Sequence, residues 1–224
     1  MLISRSRQHP PCPPIHLDGT PLEQVHHFKY LGVWISDDLT WSKHVSAVSC
    51  KARRLLGYIF RTFSPHCSPP AIITLYKVQV LPILDYGCIV WDPQFKKDSL
   101  LIENIQLFAA RMATKAWHAD ASTLNSILNL TPIASRRAYF KVLYAFKFLN
   151  GFLYCPPGYF ILRSNANLRT SHTKQLVQPF AKTCAFFSSY FVSTVKLWNT
   201  LPADAVLTES ICTFKNCIKS HFLT

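Results

Sequence analysis

Carboxylates are scarce in this sequence: 11 Asp and Glu stand against 24 Lys and Arg in 224 residues. So few acids leave little from which to build a paired-carboxylate or multi-metal centre. Glycine is scarcer still, at 6, so a phosphate-cradling glycine loop has almost nothing to be made from, and Gly-x-Ser-x-Gly is absent. The 8 Cys contain no Cys-x-x-Cys pair. Cys212 and Cys217 come closest, without a matching second pair, which argues against a structural zinc site. Reduced, mostly buried thiols and no disulfide-linked partner are therefore expected. The chain does not open on an apolar run that could serve as a secretory signal. An intracellular location, nucleus or cytoplasm, is expected rather than secretion. No uncharged apolar stretch reaches the roughly 18 residues of a membrane span. The nearest, Ala71 to Trp91, is interrupted by Lys77, Pro82 and Asp85, so it reads as a core helix.

What remains is a basic, apolar chain. The net charge is +13, and 49% of residues are hydrophobic while 16% are charged. A disordered basic tail would be poor in apolar and aromatic residues, so a packed core is expected. An excess of positive charge suits a polyanion, with nucleic acid or an anionic membrane surface as the default partners.

Residues 8–14 read as a Pro-rich connector in extended or polyproline form. Asp18-Gly19 lies between two short alternating segments and predicts a tight hairpin. Phe28 to Ile35 is aromatic and β-branched, and reads as one further strand. Helices are predicted over Trp41 to Phe63, Ser68 to Trp91 with a break near Pro82 or Gly87, and Asp98 to Trp117. A fourth spans 132–150, and two short ones lie near Val192–Asn199 and Glu209–Phe222. Thr40 is the expected N-cap of the first helix. Thr131, followed by Pro132, is the expected start of the fourth.

In the first helix Trp41, Val45, Val48, Ala52, Leu55, Ile59 and Phe63 form one apolar stripe. Lys43, Arg54 and Arg61 fall together on the opposite side. In the fourth helix Arg136, Arg137, Lys141 and Lys147 share a face with Phe140 and Tyr144. Cations interleaved with rings suit a nucleic-acid strand, although the rings could equally pack under the 152–190 segment. Asp37-Asp38 invites comparison with a metal-binding pair, but it sits between a strand and a helix start, where Asp favours turns and caps.

Phe28-Lys29-Tyr30-Leu31-Gly32-Val33, then Asp38-x-x-Trp41-x-x-His44, then Lys51-Ala52-x-x-Leu55, resembles the end of the reverse transcriptase of LINE-type (non-LTR) retrotransposons of the jockey-like branch. Tyr76-Lys77, Leu81-Pro82-Ile83-Leu84-Asp85-Tyr86-Gly87, Arg136-Arg137 and Leu197-Trp198-Asn199-x-Leu201-Pro202 continue the resemblance in order. It implies that Lys29, Tyr30, Leu31 and Gly32 correspond to the primer grip, and that the following helices correspond to the thumb. The family's Tyr-x-Asp-Asp hairpin has no counterpart in these 224 residues.

The expected fold is therefore mainly α with a small N-terminal β-hairpin. Residues 1–38 would be a palm remnant, 39–117 a thumb-like bundle and 118–224 a basic helical region. The expected function is that of a fragment of an RNA-directed DNA polymerase, inactive alone, with residual binding of RNA, RNA–DNA or DNA duplex at low specificity. No cofactor is expected, since Mg²⁺ belongs to the intact parent. A poorly folding translation product and a domesticated interaction protein are the alternatives.

Overall fold

A computed structural model describes residues 1, 3, 13–163 and 174–223; most of the Pro-rich 8–14 connector lies outside the described residues. Strands β1 (His16–Leu17) and β2 (Thr20–Pro21) pair antiparallel. Asp18 and Gly19 between them both have positive φ, 49° and 78°, as a two-residue hairpin turn requires.

The segment expected to be one strand is two: β3 (His27–Tyr30) and β4 (Val33–Ser36), paired with Lys29 opposite Trp34 and Tyr30 opposite Val33. The turn is Leu31-Gly32, at φ 45° and 86°. A β-propensity reading passes over it because Leu carries no turn signal; only Gly32 does.

Helix α1 (Ser42–Phe63) follows the predicted stripe, with Val45, Ala52 and Ile59 buried together with Leu56. Thr40 does not cap it. Asp38 takes the Thr40 N–H at 2.9 Å and its hydroxyl as well, closing a local Asx turn. The Ser42 hydroxyl instead donates to Asp98 at 2.6 Å.

Next come α2 (Pro69–Leu75), a π-helical turn (Tyr76–Val80) and α3 (Leu81–Asp85). Pro82 has no N–H to give to the preceding turn. The chain widens just ahead of it, and Leu81 N–H reaches back five residues to Tyr76 O. Pro82 is thus absorbed without ending the helix. The break falls at Tyr86 and Gly87, where Gly87 has φ 62°. Then follow α4 (Cys88–Trp91) and α5 (Lys96–Thr114). Helix α6 (Ala121–Ile127), which the sequence pattern does not announce, is capped by the Asp120 carboxylate.

Helix α7 (Ile133–Leu149) begins at Pro132 with no side-chain cap of its own. Its first two amides, those of Ile133 and Ala134, donate at 3.2 and 2.7 Å to the carboxylate of Glu103 on α5. The Thr131 hydroxyl, expected to cap, donates to Leu223 O instead. Among the described residues the chain closes with α8 (Cys184–Phe187), α9 (Tyr190–Asn199), α10 (Ala203–Val206) and α11 (Ile211–Phe222).

Two apolar clusters hold the structure together. The first gathers Val33 from the hairpin with α1 to α6 and the start of α7, around Trp91, Tyr76 and Ile105. The second gathers the rest of α7 with α9, α10 and α11, around Trp198, Phe146 and Phe214. Phe146 and Phe214 stack with ring centroids 4.0 Å apart. Asn199 exchanges two 2.9 Å hydrogen bonds with the Leu176 backbone, and Trp198 Nε1 donates to Lys174 O. These bonds fasten residues 174–176 to α9. The fold is mainly α with small antiparallel hairpins at its N-terminal side.

Candidate nucleic-acid interface

Helix α1 carries five cations, Lys43, Lys51, Arg53, Arg54 and Arg61, and no Asp or Glu in its 22 residues. All five are exposed, and no described acid forms an ion pair with any of them. From Lys43 to Arg61 the row extends about 27 Å along the helix at 1.5 Å per residue. Its apolar stripe faces α5 and the α2–α3 segment, so burial of one side turns the cations to solvent.

The hairpin joins this face. Lys29 and Lys43 each place Nζ 5.8 Å from the centroid of the Trp34 ring, within cation–π range. A cavity of about 370 Å³ lies between hairpin and helix, lined by Lys29, Gly32, Trp34, His44, Lys51 and Tyr86 among others. The Tyr86 hydroxyl donates to Leu31 O at 2.9 Å and ties the hairpin tip to the end of α3. A Cβ on Gly32 would meet Tyr86 Cε1 at 3.4 Å, so the tip sits tightly against that ring.

His44 is buried beside Trp91. Its Nδ1 accepts the Trp34 backbone N–H at 3.2 Å, so in the neutral ring the proton is on Nε2. Burial, reinforced by the nearby Lys29 charge, pushes its pKa down to about 4. The ring is therefore neutral at pH 7, and among the described residues its Nε2 has no hydrogen-bond partner.

Of the residues singled out in the sequence, Lys29 and Gly32 line one cavity, Lys43 lies near the Trp34 ring of its wall, and Tyr30 and Leu31 are exposed beside it. Arg54 and Arg61 continue the same helix. The α7 group is different. Arg137 and Lys141 are only 4% and 3% exposed. Arg137 Nε donates to Asp92 at 2.7 Å, and Lys141 Nζ pairs with the other Asp92 oxygen and bonds the Ser193 hydroxyl. Arg136 pairs with Asp85. The α7 cations were expected to form one solvent-facing row, and for Arg137 and Lys141 that expectation is corrected. Helix α7 packs against α4 and α5 and against α9 and α11, so Arg136, Arg137 and Lys141 neutralise Asp85 and Asp92 across the seam between the two clusters. Lys147 is half-buried with Nζ 4.8 Å from the Tyr144 ring. Phe140 packs against the first cluster rather than under the 152–190 segment.

Asp37 and Asp38 are engaged locally. Asp37 accepts from His26 at 2.7 Å, and this bond holds its carboxyl below the usual carboxylate range. Asp38 holds Thr40. Among the described residues no three His, Cys, Asp or Glu side chains converge on a point where a metal ion could sit. The described residues therefore offer no ready ligand set for the Mg²⁺ of a polymerase centre. Among the described residues no helix is long and apolar enough to cross a membrane.

Sequence reasoning misses Lys51, Trp34, His44 and Tyr86 as parts of one cavity, since their elements meet only in the fold. It also passes over a legible signal: between Asp120 and Asp204 there is no acidic residue at all. Exposed rings lie in that stretch, Tyr154 at 84% and Phe180 at 83%, and Lys196 Nζ sits 4.0 Å from the centroid of the Phe187 ring.

No family model matches the chain, and no solved structure matches it. Over 124 residues the chain is 30% identical to a Drosophila melanogaster protein named "Probable RNA-directed DNA polymerase from transposon X-element". That match covers 54% of this chain and 14% of the relative's length. The motif resemblance and this match agree: over the matched span the chain is similar in sequence to the RNA-directed DNA polymerase of a transposon.

Proposed function

We propose that this chain is the duplex-holding part of a retrotransposon RNA-directed DNA polymerase and that it binds RNA–DNA or RNA duplex with little sequence preference. The observation that carries this reading is the acid-free row of exposed cations on α1, joined at its N-terminal end by Lys29 and Trp34 of the hairpin. Such a row neutralises phosphates and releases their counterions, so affinity is mainly electrostatic and carries no base code. In this reading Lys29 to Gly32 act as the primer grip and α1 to α5 as a thumb. The acid-free stretch after Asp120 adds further exposed cations, Lys182 and Lys196 among them. Templated synthesis by these 224 residues alone is not expected, because Asp37 and Asp38 are occupied by His26 and Thr40.

Fluorescence anisotropy with a labelled RNA–DNA hybrid tests the binding. Affinity should fall by at least about tenfold between 50 and 200 mM salt, the behaviour of a protein that neutralises several phosphates. No binding at the lower salt, or binding indifferent to salt, contradicts the reading. A primer-extension assay with Mg²⁺ tests the rest, and template-directed incorporation by the pure chain would overturn it.

A further inference from the structure

The cavity between hairpin and α1 has features that holding a duplex does not require. We propose that it is a pocket for a single unpaired nucleotide, with the base against Trp34 and the phosphate between Lys29, Lys43 and Lys51. The inference rests on the nucleic-acid reading above and narrows it to one ligand at one site.

Three observations converge. The first is shape: at about 370 Å³, the cavity falls in the range of about 300–1,000 Å³ typical of small-molecule sites. Its walls come from β3, β4, α1 and α3. Val48 and Ile83 supply apolar surface beside the Trp34 indole, which suits a flat ring and gives inorganic phosphate nothing to use.

The second is charge. Lys29 and Lys51 line the cavity, Lys43 flanks the same indole, and no Asp or Glu is among its lining residues. An anionic ligand therefore meets no repulsion there.

The third is an unused donor. His44 belongs to the cavity wall, its Nδ1 is taken by the Trp34 amide, and its buried Nε2–H has no partner among the described residues. Buried donors are rarely left so. Nε2 is closed to solvent, so a base carbonyl or ring nitrogen reaches it only when the His44 ring turns toward the cavity. The low pKa of about 4 keeps the ring uncharged at neutral pH, with its one proton on Nε2.

The test is calorimetric titration of the full 224-residue chain with UMP, AMP, the matching nucleosides and inorganic phosphate, with hybrid binding measured on the same preparation. The expected result is that a mononucleotide binds about tenfold or more tightly than its nucleoside or than phosphate, the ratio that one stacking interaction or one charge interaction provides. Lys51→Ala and Trp34→Leu should each weaken mononucleotide binding several-fold. Lys29 and Lys51 are exposed, so Lys29→Ala and Lys51→Ala test the pocket even where replacement of His44 unfolds the chain. Hybrid binding without mononucleotide binding overturns the pocket and leaves the proposed function standing. Phosphate binding as tightly as UMP also overturns it, as does mononucleotide binding unchanged in Lys51→Ala. Binding of neither hybrid nor mononucleotide contradicts both.

Discussion

Arg137 Nε donates to an Asp92 oxygen at 2.7 Å, beneath a surface that leaves the arginine almost no access to water. Lys141 shares the same carboxylate. One acid from the segment after α4 thus neutralises two buried cations of α7. Removing it strands both charges where solvent cannot repair the loss. Asp92→Ala should lower unfolding free energy by about 3–5 kcal/mol, the usual cost of breaking a buried ion pair from one side. Asp37→Ala, which breaks the more exposed pair with His26, should cost far less, because solvent screens that pair. Urea unfolding of the two variants measures the contrast. Equal losses would contradict the placement of Arg137 and Lys141.

Glu103 supplies the N-cap that α7 lacks. Glu103→Ala should cost about 1–2 kcal/mol, in the range of a removed helix cap. It should also raise amide exchange at Ile133 and Ala134. Thr131→Ala should leave those two amides protected, because the Thr131 hydroxyl donates to Leu223 O and not to the helix. Hydrogen exchange by NMR distinguishes the two caps.

Leu31 occupies the left-handed region at φ 45° and is 73% exposed. A leucine there is strained and buries little in return. Leu31→Asn keeps the turn and should stabilise the chain by about 0.5–1 kcal/mol. A destabilised Leu31→Asn variant would mean that the turn depends on packing of the leucine side chain.

His44 makes stability depend on pH with a defined sign. Its folded pKa, about 4, lies below the ordinary value of 6.5. Below pH 6.5 the unfolded chain therefore binds a proton that the folded chain refuses. This contribution is complete above pH 6.5 and fades progressively as pH falls toward 4. The full span is on the order of 3 kcal/mol. His44→Gln, which removes the titration, should lose less stability than the parent between about pH 7 and pH 5. Parallel pH profiles for the two proteins would contradict a buried neutral His44.

How far the sequence announces this arrangement varies with the range of the interactions. The α1 stripe is legible because residues three and four apart meet within one helix, and the Asp18-Gly19 turn because its chemistry is local. The Leu31-Gly32 turn is hidden by a leucine in a glycine-like conformation. The start of α7 is misread because its cap comes from Glu103, about thirty positions away. The same distance effect explains Arg137 and Lys141. On α7 alone they share a face with Lys147 and look solvated; Asp85 and Asp92, which claim the α7 cations, lie far upstream on other elements. In the candidate site Lys29, Gly32 and Lys43 are identifiable individually. Their meeting with Lys51, His44 and Tyr86 is not, since it depends on how the hairpin folds back over α1 and α3.

Whether α1 rather than α7 presents the phosphate-binding cations is decided by the salt dependence of hybrid binding. The comparison is between the parent chain and a Lys43→Gln, Arg54→Gln, Arg61→Gln variant. All three side chains are exposed, so folding should be unaffected. The variant should bind more weakly, with a log–log salt slope shallower by about 2–3, close to one unit for each phosphate no longer neutralised. An unchanged affinity and slope in a folded variant would contradict a phosphate-binding role for α1.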